Sequence, residues 1–221
     1  MRRTIAKEIR KSGTALHAGG TVNMTLSPAP SGSGVLFRRA DLGGKEIPAL
    51  YDRVGETRLG TVIAQGDASV GVIEHLMAAV AGAEIDDLLV TVDGPEPPIL
   101  DGSARPFQEA LLRAGIVDVD GEVEYLTLRA PLTVRDGVST YTVQPSVALS
   151  LSVSIDFPHR LIGHQSYDLP ITPATFASDL AGARTFGFLR EADALRAAGL
   201  IQGVSTANTV VLDEDGPVDP E

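Results

Sequence analysis

The chain has 221 residues, enough for one large or two small domains with a real core, and its 43% apolar and 21% charged residues are ordinary for a folded globular protein. It has no cysteine, which excludes disulfides, thiolate metal sites and cysteine nucleophiles, so any metal must be held by His, Asp or Glu. A net charge of −11 excludes a broad nucleic-acid surface, which needs clustered Lys and Arg, but leaves room for an anionic small molecule held by a few local donors.

Residues 1–65 alternate short β-like runs with Gly, Pro and Ser turns: TVNMTL, SPAPSGSG, VLFRRA. The basic start, MRRTIAKEIRKSG, lacks the apolar core of a signal peptide and reads as an amphipathic first strand. A helix is predicted over about 70–82, with Ser69 as N-cap and Gly82 near its end. LLVTVDG follows as an apolar strand, and the turn-dense PEPPILDGS leads into a second helix, PFQEALLRAG. There Ser103 is the candidate cap, Pro106 sits in the first turn, and Phe107, Ala110, Leu111 and Ala114 form the buried face. A polar joint falls near 116–125, after which strands restart in YLTLRAPLTV, STYTVQP and ALSLSVSIDFP. Helices are predicted near 173–184 and 190–198, then the strand NTVVLD and the acidic, breaker-rich DEDGPVDPE. No apolar run approaches the roughly 18–20 residues of a membrane span, so the expectation is a soluble cytoplasmic protein. Both halves run from strands into helix, and the pattern predicts a duplicated α+β unit: 1–120 and 121–221, the second with nothing helical after its last strand.

The first helix poses a chemical question. Advancing 100° per residue places Val72, Ile73, Leu76, Met77 and Val80 on one core stripe. Glu74 and His75 fall on the other side, among Gly71, Ala78, Ala81 and Gly82. A solvated face would carry Lys, Arg or more Glu. Small neighbours instead predict a second surface or a ligand close to this side, and a carboxylate there needs a partner. Spacing alone leaves a partly exposed Glu beside a hydrogen-bonded core His equally open, since this is not the His-Glu-x-x-His pattern.

The wider string GVIEHLMAAVAGAEIDDLLVTVDGPEPPILDGSARPF, with GTALHAGGTVNMTLSPAP before it and ARTFGFLREADALRAAGL after it, resembles the bacterial UDP-3-O-acyl-N-acetylglucosamine deacetylase family over essentially the whole chain. The resemblance implies zinc-dependent hydrolysis of an acetamide in lipid A synthesis, on an α+β fold of two similar subdomains, each a sheet packed against helices, with the active site between them. It implies that Glu74 is the general base and His75 a Zn²⁺ ligand. It implies further that Leu16 and His17 border the substrate site, that Thr185 contacts substrate, and that Phe186 and Phe188 line the acyl region. DGPEPPILDGS reads as turn and helix cap and is taken as architectural.

The resemblance also implies a second and third zinc ligand, a His and an Asp four residues apart on a later helix, and a further assisting His. None has a counterpart here, where the histidines are His17, His75, His159 and His164. His164 and Asp168 have the spacing, but they lie between strand-like runs and before Pro170, so a helix carrying both on one face is not expected. The chain thus reads as a C-terminally truncated member with an incomplete second subdomain, inactive by itself and exposing an apolar sheet face. The rival reading is a non-catalytic relative that at most binds nucleotide-sugar or acyl groups. Expected partners are a UDP-linked acylated glucosamine, no nucleic acid, no membrane span though transient membrane proximity, and no second subunit.

Overall fold

The computed structural model describes residues 1–218, so the last three residues of DEDGPVDPE lie outside the described residues. The fold is α+β. In the first half, β1 (Arg2–Ile5), β2 (Ile9–Thr14), β3 (Thr21–Pro28), β4 (Val35–Arg39), β5 (Lys45–Pro48), β6 (Ile63–Gln65) and β7 (Ala68–Val70) precede α1 (Glu74–Gly82). Next come β8 (Leu88–Val92), α2 (Arg105–Ala114) and β9 (Ile116–Val119). A five-stranded sheet runs in the order β2-β3-β8-β4-β5, antiparallel except where β4 lies parallel to β8.

Period-2 alternation puts Val22, Met24, Leu26, Phe37, Ile47, Leu88, Val90 and Val92 on one buried face of this sheet. They share a core with Leu76, Ala79 and Val80 of α1 and with Phe107, Leu111 and Ala114 of α2. Each large side chain buried this way stabilises the fold by about 1.5–3 kcal/mol. The second helix follows its predicted pattern: Phe107, Ala110, Leu111 and Ala114 are all buried. Ser103 Oγ accepts the Arg105 N–H at 3.2 Å, although Ala104 holds the cap position itself.

Three local expectations are corrected. The first helix begins at Glu74, not near 70, and Ser69 lies in β7 instead of capping it. Val72 adopts φ 52°, a left-handed conformation that stops the helix from extending backwards, and Val72 and Ile73 are buried through that turn. The predicted small-residue side meets a second surface at its two ends, at Gly71 against Val62, Pro95 and Glu96 and at Gly82, where a Cβ would overlap the Phe176 ring, but Ala78 and Ala81 between them are exposed. The joint near 116–125 begins later than predicted, because Ile116–Val119 pairs antiparallel with β1.

The second half holds β10 (Leu132–Asp136), β11 (Ser139–Val143), β12 (Ser150–Phe157), β13 (Gly163–Pro170), α3 (Pro173–Thr175), β14 (Phe186–Phe188), α4 (Leu189–Ala197) and β15 (Val210–Leu212). Its strands form two-stranded ladders: the hairpins β10–β11 and β12–β13, and the parallel pair β14–β15. The register aligns Leu132 and Val134 with Val143 and Tyr141, and Leu151 and Val153 with Leu169 and Tyr167, giving each hairpin an apolar face. Those faces are about half exposed, Leu151 at 46% and Tyr141 at 57%. The helix predicted near 173–184 is shorter and irregular. A Thr172/Thr175 capping box starts α3, a wide π turn follows over Phe176–Leu180, and the chain is then drawn out into β14 by pairing with β15. Among the described residues no helix is long and apolar enough to cross a membrane.

Asp87 fastens the N-terminal strand to this core. Its fully buried carboxylate accepts Arg2 Nε at 2.7 Å, Arg2 Nη2 at 2.9 Å and the Gly34 N–H at 2.8 Å. Burial pushes its pKa up, but the Arg2 guanidinium and the backbone donors outweigh that and hold the carboxyl below the usual Asp range. A group depressed in the folded state contributes stability above its unfolded pKa and loses it as pH falls through the folded value. Asp87→Asn should therefore cost about 3 kcal/mol at pH 7 by chemical denaturation, and the gap from wild type should narrow below about pH 4. A gap that stayed constant into acid would show that the ion pair is not its source.

Candidate active site

Glu74 is the first residue of α1, and the Thr61 N–H donates to its Oε2 at 2.8 Å. Its Oε1 faces Gly60, where an added methyl would sit 3.4 Å from that oxygen and 3.7 Å from His17 Nε2. The His17 ring and Glu74 thus meet across Gly60. The Ile201 N–H donates to His17 Nδ1 at 3.3 Å, so the ring proton is on Nε2, which donates to the Leu59 carbonyl at 2.9 Å. His17 is therefore in one tautomer, with both nitrogens engaged by backbone groups from distant parts of the chain.

His75 follows Glu74 and is partly buried. Burial lowers its pKa from the ordinary His value, outweighing the opposite pull of the Glu74 and Asp101 charges. A neutral imidazole keeps the lone pair a metal ion requires. Asp101 in turn accepts the Ser103 N–H at 2.9 Å and the Ser103 hydroxyl at 2.8 Å.

Beside His17 opens a cleft of about 470 Å³, within the usual range for small-molecule sites. Leu16, His17, Thr185, Phe186 and Phe188, the substrate contacts implied by the resemblance, all lie on its walls. Its remaining surface is mostly apolar, with Ala192 and Leu195 of α4 and Val211 of β15. Phe186 and Phe188 stack edge-on at 5.9 Å, and Phe157 meets Phe186 at 5.4 Å. Phe186 is 40% exposed, which makes it a wall of the cleft and not a core residue.

Among the described residues no three His, Asp or Glu side chains converge as a metal-ligand set. His159 is buried with Nε2 donating to the Asp213 carbonyl at 2.8 Å and Nδ1 accepting the Leu161 N–H at 3.3 Å, so both its nitrogens are engaged elsewhere. His164 and Asp168 lie in β13. As expected from the sequence no helix carries them; the strand repeat does put both on one face, but four extended residues hold them about 13 Å apart.

Sequence reading missed the residues that join the cleft's two walls. One seam runs between 15–18 and 201–203, with the Gln202 N–H on the His17 carbonyl at 3.1 Å and the Gly203 N–H on the Leu16 carbonyl at 3.0 Å. The other runs between 101–102 and 184–185. The Thr185 N–H donates to the Gly102 carbonyl at 2.8 Å, and Arg184 Nε donates to the Asp101 carbonyl at 2.8 Å. Gly102, at φ 81°, has no room for a Cβ, which would overlap the Asn208 carbonyl. Glu96 is a buried acid at the first seam, and its two oxygens accept the His17 and Ala18 N–H groups, each at 2.9 Å. The one signal in the sequence was a lone carboxylate enclosed by prolines in GPEPPIL.

In metal-free protein the His75 ring should titrate by NMR with a midpoint below the free-histidine value of about 6.5, and Glu74→Gln should lower it further. Because the folded value is depressed, this group costs stability as pH falls through the unfolded value. A midpoint above the free value would mean that the two carboxylates, and not burial, control the ring.

Residues 2–221 match the UDP-3-O-acyl N-acetylglycosamine deacetylase family. The chain is 42% identical over 220 residues to the UDP-3-O-acyl-N-acetylglucosamine deacetylase of Myxococcus xanthus (strain DK1622), covering 99% of this chain and 70% of that protein. It is 43% identical over 220 residues to the protein of the same name from Citrifermentans bemidjiense, covering 99% and 72%. The counterpart in Thermosynechococcus vestitus is 42% identical over 219 residues, covering 99% and 76%. By the match over residues 2–221 and by these identities, the chain belongs to the UDP-3-O-acyl N-acetylglycosamine deacetylase family.

Proposed function

We propose that this chain supplies the general base, one metal ligand and the acyl-binding walls of a zinc-dependent deacetylase acting on UDP-3-O-(3-hydroxyacyl)-N-acetylglucosamine in lipid A biosynthesis. One observation carries the reading: five residues from two distant segments, Leu16, His17, Thr185, Phe186 and Phe188, line a single apolar cleft whose His17 end abuts Glu74. The cleft suits an acyl chain, and Thr185 suits contact with the sugar end of the substrate. The Thr61 N–H holds Glu74 Oε2, which leaves Oε1 to take a proton from the water that attacks the acetamide carbonyl. The products are acetate and the free amine.

Zn²⁺ is the proposed cofactor, with His75 one ligand to it. A catalytic zinc takes three protein donors. The described residues do not close that set. The proposed setting is a cytoplasmic monomer that approaches the membrane only transiently, with subdomains 1–120 and 121–221 flanking the site. On this reading the 221-residue polypeptide alone binds zinc weakly and releases no acetate, which an acetate assay with zinc stoichiometry checks directly. Tight stoichiometric zinc on it would return His17, His159, His164 and Asp168 as candidate ligands.

Two substitutions test the roles in a protein that carries this chain together with a complete ligand set. Glu74→Gln should lower turnover by roughly 10²- to 10⁴-fold while zinc content is retained; near-native turnover would remove Glu74 from the chemistry. His75→Ala should abolish stoichiometric zinc while the metal-free melting temperature barely moves, because the ring lies off the core stripe. A large loss of metal-free stability would make His75 a core residue.

A further inference from the structure

Resting on the deacetylase reading, we infer that Glu96 is a positioning residue: it sets the His17 ring across the cleft and, through that ring, the loop that orients Glu74. Glu96 is one of two acids with under a tenth of their surface exposed among the described residues, and the other, Asp87, is engaged by Arg2. Among the described residues no cation lies on Glu96; its two oxygens accept consecutive N–H groups, those of His17 and Ala18. A carboxylate that receives two amides in a buried place fixes both the position and the rotation of the peptide between them. The side chain carried on that peptide is His17, whose ring must then point so that Nε2 reaches the Leu59 carbonyl and Nδ1 receives the Ile201 N–H.

From Leu59 the connection is short. Two residues on, Thr61 donates its N–H to Glu74 Oε2. The bonded sequence is therefore Glu96 to the His17 backbone, the His17 ring to Leu59, and the 59–61 loop to Glu74. Leu59 and Ile201, the two residues that receive the ring, have φ 59° and 52°, conformations that side-chain-bearing residues rarely adopt and that need an outside restraint to persist. The backbone bonds of Gln202 and Gly203 to the 16–17 segment do not involve Glu96, so removing its charge leaves the seam in place and frees the ring. The segment that the sequence presented as architecture, DGPEPPILDGS, thus holds both cleft walls: Glu96 the His17 turn, and Asp101, through its carbonyl, Arg184.

The test is the ¹⁵N signature of the His17 ring in Glu96→Gln, with the wild-type chain as reference. A glutamine keeps the volume but offers one acceptor oxygen and sets an NH₂ against the other amide. In wild type the ring should show a single Nε2–H tautomer, and the His17 and Ala18 amides should be protected from hydrogen exchange. In the variant the tautomers should mix, the two amides should exchange faster, and UDP-3-O-(3-hydroxytetradecanoyl)-N-acetylglucosamine should bind about tenfold more weakly by calorimetry. A His17 signature unchanged by Glu96→Gln overturns the inference, whatever the affinity does. If the variant does not fold, exchange in wild type decides: unprotected His17 and Ala18 amides overturn it and protected ones support it. Should the ring respond as expected while wild type fails to bind the acylated nucleotide-sugar, the positioning role stands and the substrate reading falls.

Discussion

An imidazole in one tautomer has a single proton to give and a single lone pair to accept with, and His17 spends both on main-chain groups, the Leu59 carbonyl and the Ile201 N–H. Those groups belong to opposite halves of the chain. The ring is therefore a cross-link whose two ends cannot be exchanged without reversing the tautomer. The ring lines the cleft, the Arg184–Asp101 and Thr185–Gly102 bonds fasten the segment that carries Phe186 and Phe188 on its walls, and the catalytic candidate Glu74 sits beside the His17 end.

The neighbouring strain follows from this arrangement. Leu59, Val72, Leu100 and Ile201 all take positive φ without being glycine, and each flanks a segment that forms the cleft or its seams. Such conformations cost about 1–3 kcal/mol each and persist only where surrounding contacts over-determine them. Here the restraints are visible. The His17 ring receives both Leu59 and Ile201, and Val72 packs with Leu16 and Ile99 in a small apolar cluster beneath the turn. That cluster joins the cleft loops to the helix bearing Glu74 and His75, so the site is held from below by packing and from across by hydrogen bonds.

Burial is distributed unevenly, and the site lies on the boundary. The first half contributes nearly all of the core, while Phe176 and Ala181 are the second half's members of it. Phe176 reaches that core because Gly82 leaves space at the end of α1. The apolar faces of β10–β11 and β12–β13 remain about half exposed, so the second half is held to the first by a few specific insertions and seams and not by a continuous layer. Precision at the cleft must then come from directional bonds, which is the part that Glu96, His17 and Arg184 supply.

What the sequence by itself determined is local. The period-2 runs of β3 and β8 and the 3.6-period face of α2 were legible because side-chain direction repeats with backbone geometry, and each pattern appears within a dozen residues. The Glu74-His75 pair stood out as the only charged or titratable side chains on its helix, whereas Leu16, His17, Thr185, Phe186 and Phe188 were named only through the family resemblance, since nothing in their local pattern sets them apart from core or loop residues. The start of α1 was not legible, because Val72 and Ile73 fit a helical stripe and only the left-handed conformation of Val72 removes them from it. The strand Ile116–Val119 was missed because its partner, β1, lies at the other end of the chain. Above all, Glu96 reads as one acid in a proline-rich turn until the fold brings the His17 and Ala18 amides onto it. A hydrogen bond between distant segments leaves no periodic trace, since its donor and acceptor are backbone groups that every residue carries, and so only the tertiary structure could decide which of them meet.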